Sequence, residues 1–143
     1  MRSMPDGQFE RVLGVDFGSK RIGLATGLPE HGLATPRTPI EASGTLRVDA
    51  AAIARIARNE EAEAVILGIP ENEADDRMAR VCRKLGEEIR SLGLPVIEVD
   101  ESLTSVEATE LMTALGLKGA EQRKKRDSEA AARILERYFS QAK

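Results

Sequence analysis

The stretch "VLGVDFGSKRIGLATG", Val12 to Gly27, decides the fold. An apolar run leads to the carboxylate of Asp16; Gly18, Lys20, Arg21 and Gly23 follow, and a second apolar run then begins. Asp16 could open a turn, the glycines and Lys20 could cradle a phosphate, or the carboxylate could bind a metal ion. Residues 9–16 and 21–27 read as two strands joined by a turn at "FGSK". "GLATPRTPI", residues 32–40, adds a third strand. Pro36 and Pro39 place it at an edge, because proline has no N–H to give to a ladder. The chain therefore opens on an antiparallel meander.

The period then changes. Ile53, Ile56 and Ala57 repeat at three and four, which marks a helix, and "AEAVILGIP" is a short apolar strand ended by Pro70. Met78, Val81, Cys82, Leu85, Ile89 and Leu92 form one helical stripe with Gly93 as its cap. "PVIEVD" is a fifth strand ending on Asp100, with Glu101 behind it. "TSVE", from Thr104, has capping-box spacing and opens another helix. "GLKGAEQRKKRD" reads as a polar loop, and a last helix starts near Asp127 with Ala131, Ile134, Leu135, Tyr138 and Phe139 on its core face. Strands alternating with helices in the second half imply a parallel portion with helices on its faces, added to the hairpin.

The 143 residues, 41% of them hydrophobic, suit a single domain over residues 9–140 preceded by a disordered lead-in at 1–8. The formal charge of -3 gives no overall field for a polyanion, so nucleic acid would need a local basic patch. Cys82 is the only cysteine and His31 the only histidine. That excludes an internal disulfide and a cysteine-built zinc site, and leaves His31, in a loop-like stretch, as the only imidazole for a nucleophilic pair. No apolar run is long enough for a membrane span, and an intracellular location fits. Three phenylalanines, one tyrosine and no tryptophan give little support to base stacking.

Ligands of open α/β sheets gather at the carboxyl ends of parallel strands, so Asp16 and Glu101 would point at one edge, and Asp127 could join them from the last helix. Three converging carboxylates suit a hard divalent cation such as magnesium, and two such ions support phosphodiester cleavage. Each acid also has a plain reading: Asp16 as a turn opener, Asp127 as an N-cap, Asp100 and Glu101 as solvated strand ends. Lys124, Lys125 and Arg126 are a solvated loop or, with Lys20 and Arg21, the frame of a phosphate path. Met78 and Cys82 lie on the helical stripe and belong to the core.

Four ordered blocks, "LGVDFGSKRIGLA", "ILGIPEN", "VDESLTSVEA" and "RDSEAAARILERYF", resemble the YqgF/RuvX family. Its members are small ribonuclease H-like proteins described as Holliday-junction resolvase-like and as nucleases that trim the precursor of small-subunit (16S) ribosomal RNA. The resemblance implies an α/β fold, a five-stranded mixed sheet with helices on both faces. It also implies cleavage of phosphodiester bonds with Mg2+ or Mn2+, acting on structured RNA or branched DNA, as a monomer or homodimer. Carried over by position, Asp16, Glu101 and Asp127 are the catalytic and metal-binding acids, and Lys20 and Arg21 the basic pair suited to phosphate. Two positions depart from the family: Ser102 stands where an arginine is expected, and "EADD" replaces an Asp-Gly after "GIPEN". The first rival is the ATP-binding fold of actin and sugar kinases, which closes two such domains and needs a longer chain. The second is a non-catalytic protein of the same fold that binds RNA or a ribosome-assembly partner.

Overall fold

The computed structural model describes residues 9–70, 76–100 and 119–141, the side chains of 119–127 excepted. In chain order the elements are β1 (Val12–Phe17), β2 (Arg21–Leu28), β3 (Leu33–Glu41), α1 (Leu46–Asn59), β4 (Ala64–Ile69), α2 (Arg77–Ser91), β5 (Val96–Asp100) and α3 (Gly119–Gln141). His31 closes a short 3-10 turn between β2 and β3 and is exposed.

The strands form one five-stranded sheet in the order β3-β2-β1-β4-β5. The β1–β2 and β2–β3 pairs are antiparallel, and β1–β4 and β4–β5 are parallel. As the prolines imply, β3 is an edge strand. The crossover helices α1 and α2 cover one face, where Leu13, Val15 and Phe17 pack with Ile53, Ala57, Leu85 and Ile89. The other face belongs to α3, whose Ala131, Ile134, Leu135, Tyr138 and Phe139 meet Val12, Ala25, Ala64, Ile66 and Val99. Each large aliphatic side chain buried in these layers contributes about 1.5–3 kcal/mol. This is the mixed sheet with helices on both faces that the resemblance implies.

Several boundaries differ from the sequence reading. Phe17 is still strand, so Asp16 lies inside β1, and "FGSK" contributes only three residues to the turn. Leu92 does not extend the α2 stripe; it follows the helix and is 40% exposed, while Gly93 turns with φ 95° as a cap should. The largest correction is α3, which begins at Gly119, so the segment read as a polar loop is helical from that point. Residues 120–127 are Ala, Glu, Gln, Lys, Arg and one Asp, nearly all strong helix formers without proline or glycine, and a helix nucleated on its packed half propagates through them. Asp127 is therefore an interior helix position and not an N-cap. Lys124, Lys125 and Arg126 are consecutive helical residues, which about 100° of rotation per residue distributes around the axis. The helix expected from Thr104 lies outside the described residues, as do Glu101, Ser102, the "EADD" segment up to Asp75, and the lead-in at 1–8.

Candidate active site

Asp16 pairs with Gly23 across the β1–β2 ladder and is half-buried. Alternation along β1 sends Leu13, Val15 and Phe17 to the α1–α2 face, so Val12, Gly14 and Asp16 belong to the α3 face. On the other side of β1, Val15 pairs with Leu67 of β4, which brings the next residue, Gly68, beside Asp16. Gly68 pairs with Val99, a member of the α3-face cluster. Near the carboxyl ends of the parallel strands the α3 face thus carries the row Gly23, Asp16, Gly68. One carboxylate stands between two residues without side chains.

Gly14, two residues earlier on the same face, explains how closely α3 sits. A Cβ at Gly14 would fall 2.6 Å from Leu135 Cγ and 2.9 Å from the Ala131 carbonyl oxygen. Asp127 occupies the helix position one turn before Ala131, displaced by about 6 Å along the axis. The helix is also fastened to the edge strand, where the buried Ser128 hydroxyl donates to the Arg37 carbonyl. Farther along, the Arg137 guanidinium donates to the Asp100 carbonyl at 2.9 Å. Burial pushes the Tyr138 hydroxyl up from its usual pKa of 10.0.

Lys20 and Arg21 lie at the same edge as Asp16. In the β1–β2 turn the Gly18 N–H donates to the Arg21 carbonyl at 3.0 Å, and a Cβ at Gly18 would sit 2.8 Å from that oxygen, so a side chain there would force the turn apart. The Lys20 carbonyl accepts from the Ala42 N–H at 2.9 Å. The next residue, Ser43, donates its N–H at 2.8 Å to Asp49, a carboxylate buried in the first turn of α1 where the helix dipole favours negative charge. Lys20 is exposed and Arg21 half-buried.

Asp100 does not share the face of Asp16. Glu98 faces α2 through an ion pair with Arg83 at 3.8 Å and Val99 faces α3, so Asp100 returns to the α1–α2 side. Glu101 and the side chains of Lys124, Lys125, Arg126 and Asp127 lie outside the description. Among the described residues, no three His, Cys, Asp or Glu side chains form a group able to hold a metal ion. A cavity of about 1290 Å³ opens at the opposite edge, between Arg11, His31, Arg58, Glu63 and Pro95, away from Asp16. Sequence reasoning missed Ser128, Asp49 and Gly68, and named Gly23 without placing it beside Asp16. An acid four residues after Thr45 hints at a cap for α1; the others emerge only from the register.

No described helix is long and apolar enough to cross a membrane. The sequence matches the family model described as "RuvX: Holliday junction resolvase" over residues 10–141. It is 37% identical over 131 residues to a Methylobacillus flagellatus protein named "Putative pre-16S rRNA nuclease", covering 90% of this chain and 89% of that one. An Anaeromyxobacter dehalogenans protein of the same name is 39% identical over 133 residues, covering 90% and 96%. Among solved structures, Thermus thermophilus RuvC in complex with Holliday junction substrate superposes with a TM-score of 0.57 at 17% identity over 93% of this chain and 95% of RuvC. That likeness carries the fold, and the match along almost the whole sequence carries the lineage: the chain belongs to the RuvX family of Holliday junction resolvase-like nucleases.

Proposed function

We propose that this chain is a divalent-metal-dependent phosphodiesterase that matures the 5′ end of 16S ribosomal RNA from its precursor in the cytoplasm. The observation that carries the proposal is the row Gly23, Asp16, Gly68: a carboxylate at the edge where ligands of such sheets gather, flanked by backbone that lets a nucleic-acid strand come close. The relatives named for pre-16S rRNA support RNA as the substrate.

The residues fit a hard cation. Asp16 offers oxygen donors, which suit magnesium or manganese better than zinc or copper. Asp100 ends β5 on the opposite face, and the next residue in sequence is Glu101; Asp127 stands one helical turn before the residue packed on Gly14. Asp16, Glu101 and Asp127 would together hold the ion. When bound, it supplies Lewis-acid activation of water and charge for the departing oxygen. Glu101 is also suited to orient the attacking water. Lys20 and Arg21, on a turn closed by the Gly18–Arg21 bond and tied to Ala42 just after β3, meet backbone phosphate by charge and carry no sequence preference. Ser102, in place of an arginine, removes a two-pronged phosphate contact and makes substrate binding weaker than in a chain that keeps it.

The family description favours branched DNA as a second reading. Both are tested by incubating the protein with Mg2+ or Mn2+ and either a transcript spanning the 5′ end of the 16S rRNA precursor or a four-way DNA junction. Cleavage of the transcript at the mature end, abolished by EDTA, is the expected result. Cleavage of the junction alone supports the second reading, and binding of either without cleavage refutes the enzyme.

A further inference from the structure

We propose that Ser128 is a positioning residue for Asp127, a role that rests on the metal-dependent reading above. Three observations meet here. Ser128 follows Asp127 directly in α3 and is only 6% exposed, so a polar side chain is buried at the point where the helix reaches the sheet. Its hydroxyl donates to the main-chain carbonyl of Arg37, ninety-one residues away in sequence. Arg37 lies in the edge strand at the point where the β2–β3 register shifts: Leu24 pairs with Arg37 but Ile22 with Ile40, so β3 holds one extra residue and the bulge includes Pro39, which has no N–H. An edge strand interrupted in this way does not use all its carbonyls in the ladder, and the helix supplies the donor.

Arg137 donates to the Asp100 carbonyl nine residues farther along α3, and the packing between these two points rests on apolar side chains. Ala131, Ile134, Leu135, Tyr138 and Phe139 hold the helix down, but such contacts are non-directional. They fix how deep α3 sits more firmly than how it is tilted. The Ser128 hydrogen bond is directional, and it is the described side-chain anchor nearest Asp127. A pivot on the Ala131–Gly14 contact, one turn away, moves the backbone at 127 by about 1 Å for each 10° of tilt. A displacement of that size is enough to cost about a hundred-fold in rate. Burial of a serine in place of alanine at this position therefore has a purpose beyond stability: it sets the approach of α3 to the strand that carries Asp16.

The test compares Ser128→Ala, Ser128→Thr and Asp127→Asn with the native chain. It reads thermal stability, Mn2+ affinity of the nucleic-acid-free protein by electron paramagnetic resonance, and kcat and KM on the precursor transcript or junction that the native chain cleaves. Ser128→Ala is expected to weaken Mn2+ binding several-fold and lower kcat by about ten- to a hundred-fold with KM nearly unchanged. Ser128→Thr, which keeps the hydroxyl, restores both. If Ser128→Ala retains native kcat and Mn2+ affinity, whatever its stability, while Asp127→Asn loses them, the positioning role is overturned and the metal reading stands. Failure of Ser128→Thr to restore either quantity also overturns it. If Asp127→Asn itself binds Mn2+ and cleaves as the native chain does, the metal reading falls and takes this proposal with it.

Discussion

Adjacent residues of β1 lead into two different environments. Toward α1 and α2 the strand presents Leu13, Val15 and Phe17, large side chains that fill a thick apolar layer. Toward α3 it presents Val12, Gly14 and Asp16, so side-chain volume falls away and charge appears along the same strand. The first face is built for burial. The second lets a helix come within contact distance of bare backbone and holds an acid beside it, flanked by Gly23 and Gly68. The same fold thus stores most of its large aliphatic burial on one side and keeps room for chemistry on the other.

Two neighbouring substitutions separate these roles. Leu13 is fully buried, and Leu13→Ala is expected to cost about 2–5 kcal/mol in denaturant unfolding while the folded fraction keeps its turnover. Gly14→Ala adds one methyl group where Leu135 and the Ala131 carbonyl leave no space, and the expected loss is smaller, about 1–3 kcal/mol. Its turnover per folded molecule should nevertheless fall about a hundred-fold, because α3 must back away from the strand carrying Asp16. Equal effects of the two changes on turnover per folded molecule would erase the distinction between the faces.

A smaller effect sharpens the picture of the α3 face. Tyr138 is the only tyrosine, so the ultraviolet absorbance of its phenolate reports one group. Burial disfavours the charged form, and the midpoint should lie above 10.0 in the folded protein and return to the ordinary value in denaturant. A raised folded pKa means that the stability it contributes is present below pH 10 and is lost as pH rises through the folded midpoint. Tyr138→Phe removes that part of the alkaline loss. An unshifted midpoint would show that the α3 interface is open to water at this position.

The strands and two crossover helices were legible because burial writes a period into the sequence: Leu13, Val15 and Phe17 alternate, and Met78 to Ile89 repeat at three and four. The first turns of α3 carry no such signal. Residues 120–127 have no apolar stripe, and only their helix propensity, which a polar loop reading overlooks, marks them. At the candidate site Asp16 was legible as a carboxylate ending an apolar run. Its setting was not, since Gly23 and Gly68 flank it only through the register of three strands, and Ser128 finds the Arg37 carbonyl across ninety-one residues. Beyond its spacing from Thr45, Asp49 carries no signal in the sequence, because its bond to Ser43 depends on how the link before α1 folds back.

The central claim is that Asp16 is on the α3 face for chemistry and not for stability, and Asp16→Asn tests it most directly. The amide keeps the shape and removes the charge, so the melting temperature should stay within about 2 °C of the native value. Metal-dependent cleavage of the precursor transcript or the junction, whichever the native chain cuts, should fall at least about a hundred-fold, the equivalent of losing several kcal/mol of transition-state stabilisation. A variant that melts as the native chain does and cuts at the native rate would contradict the account, leaving Asp16 as one polar residue at the end of a strand.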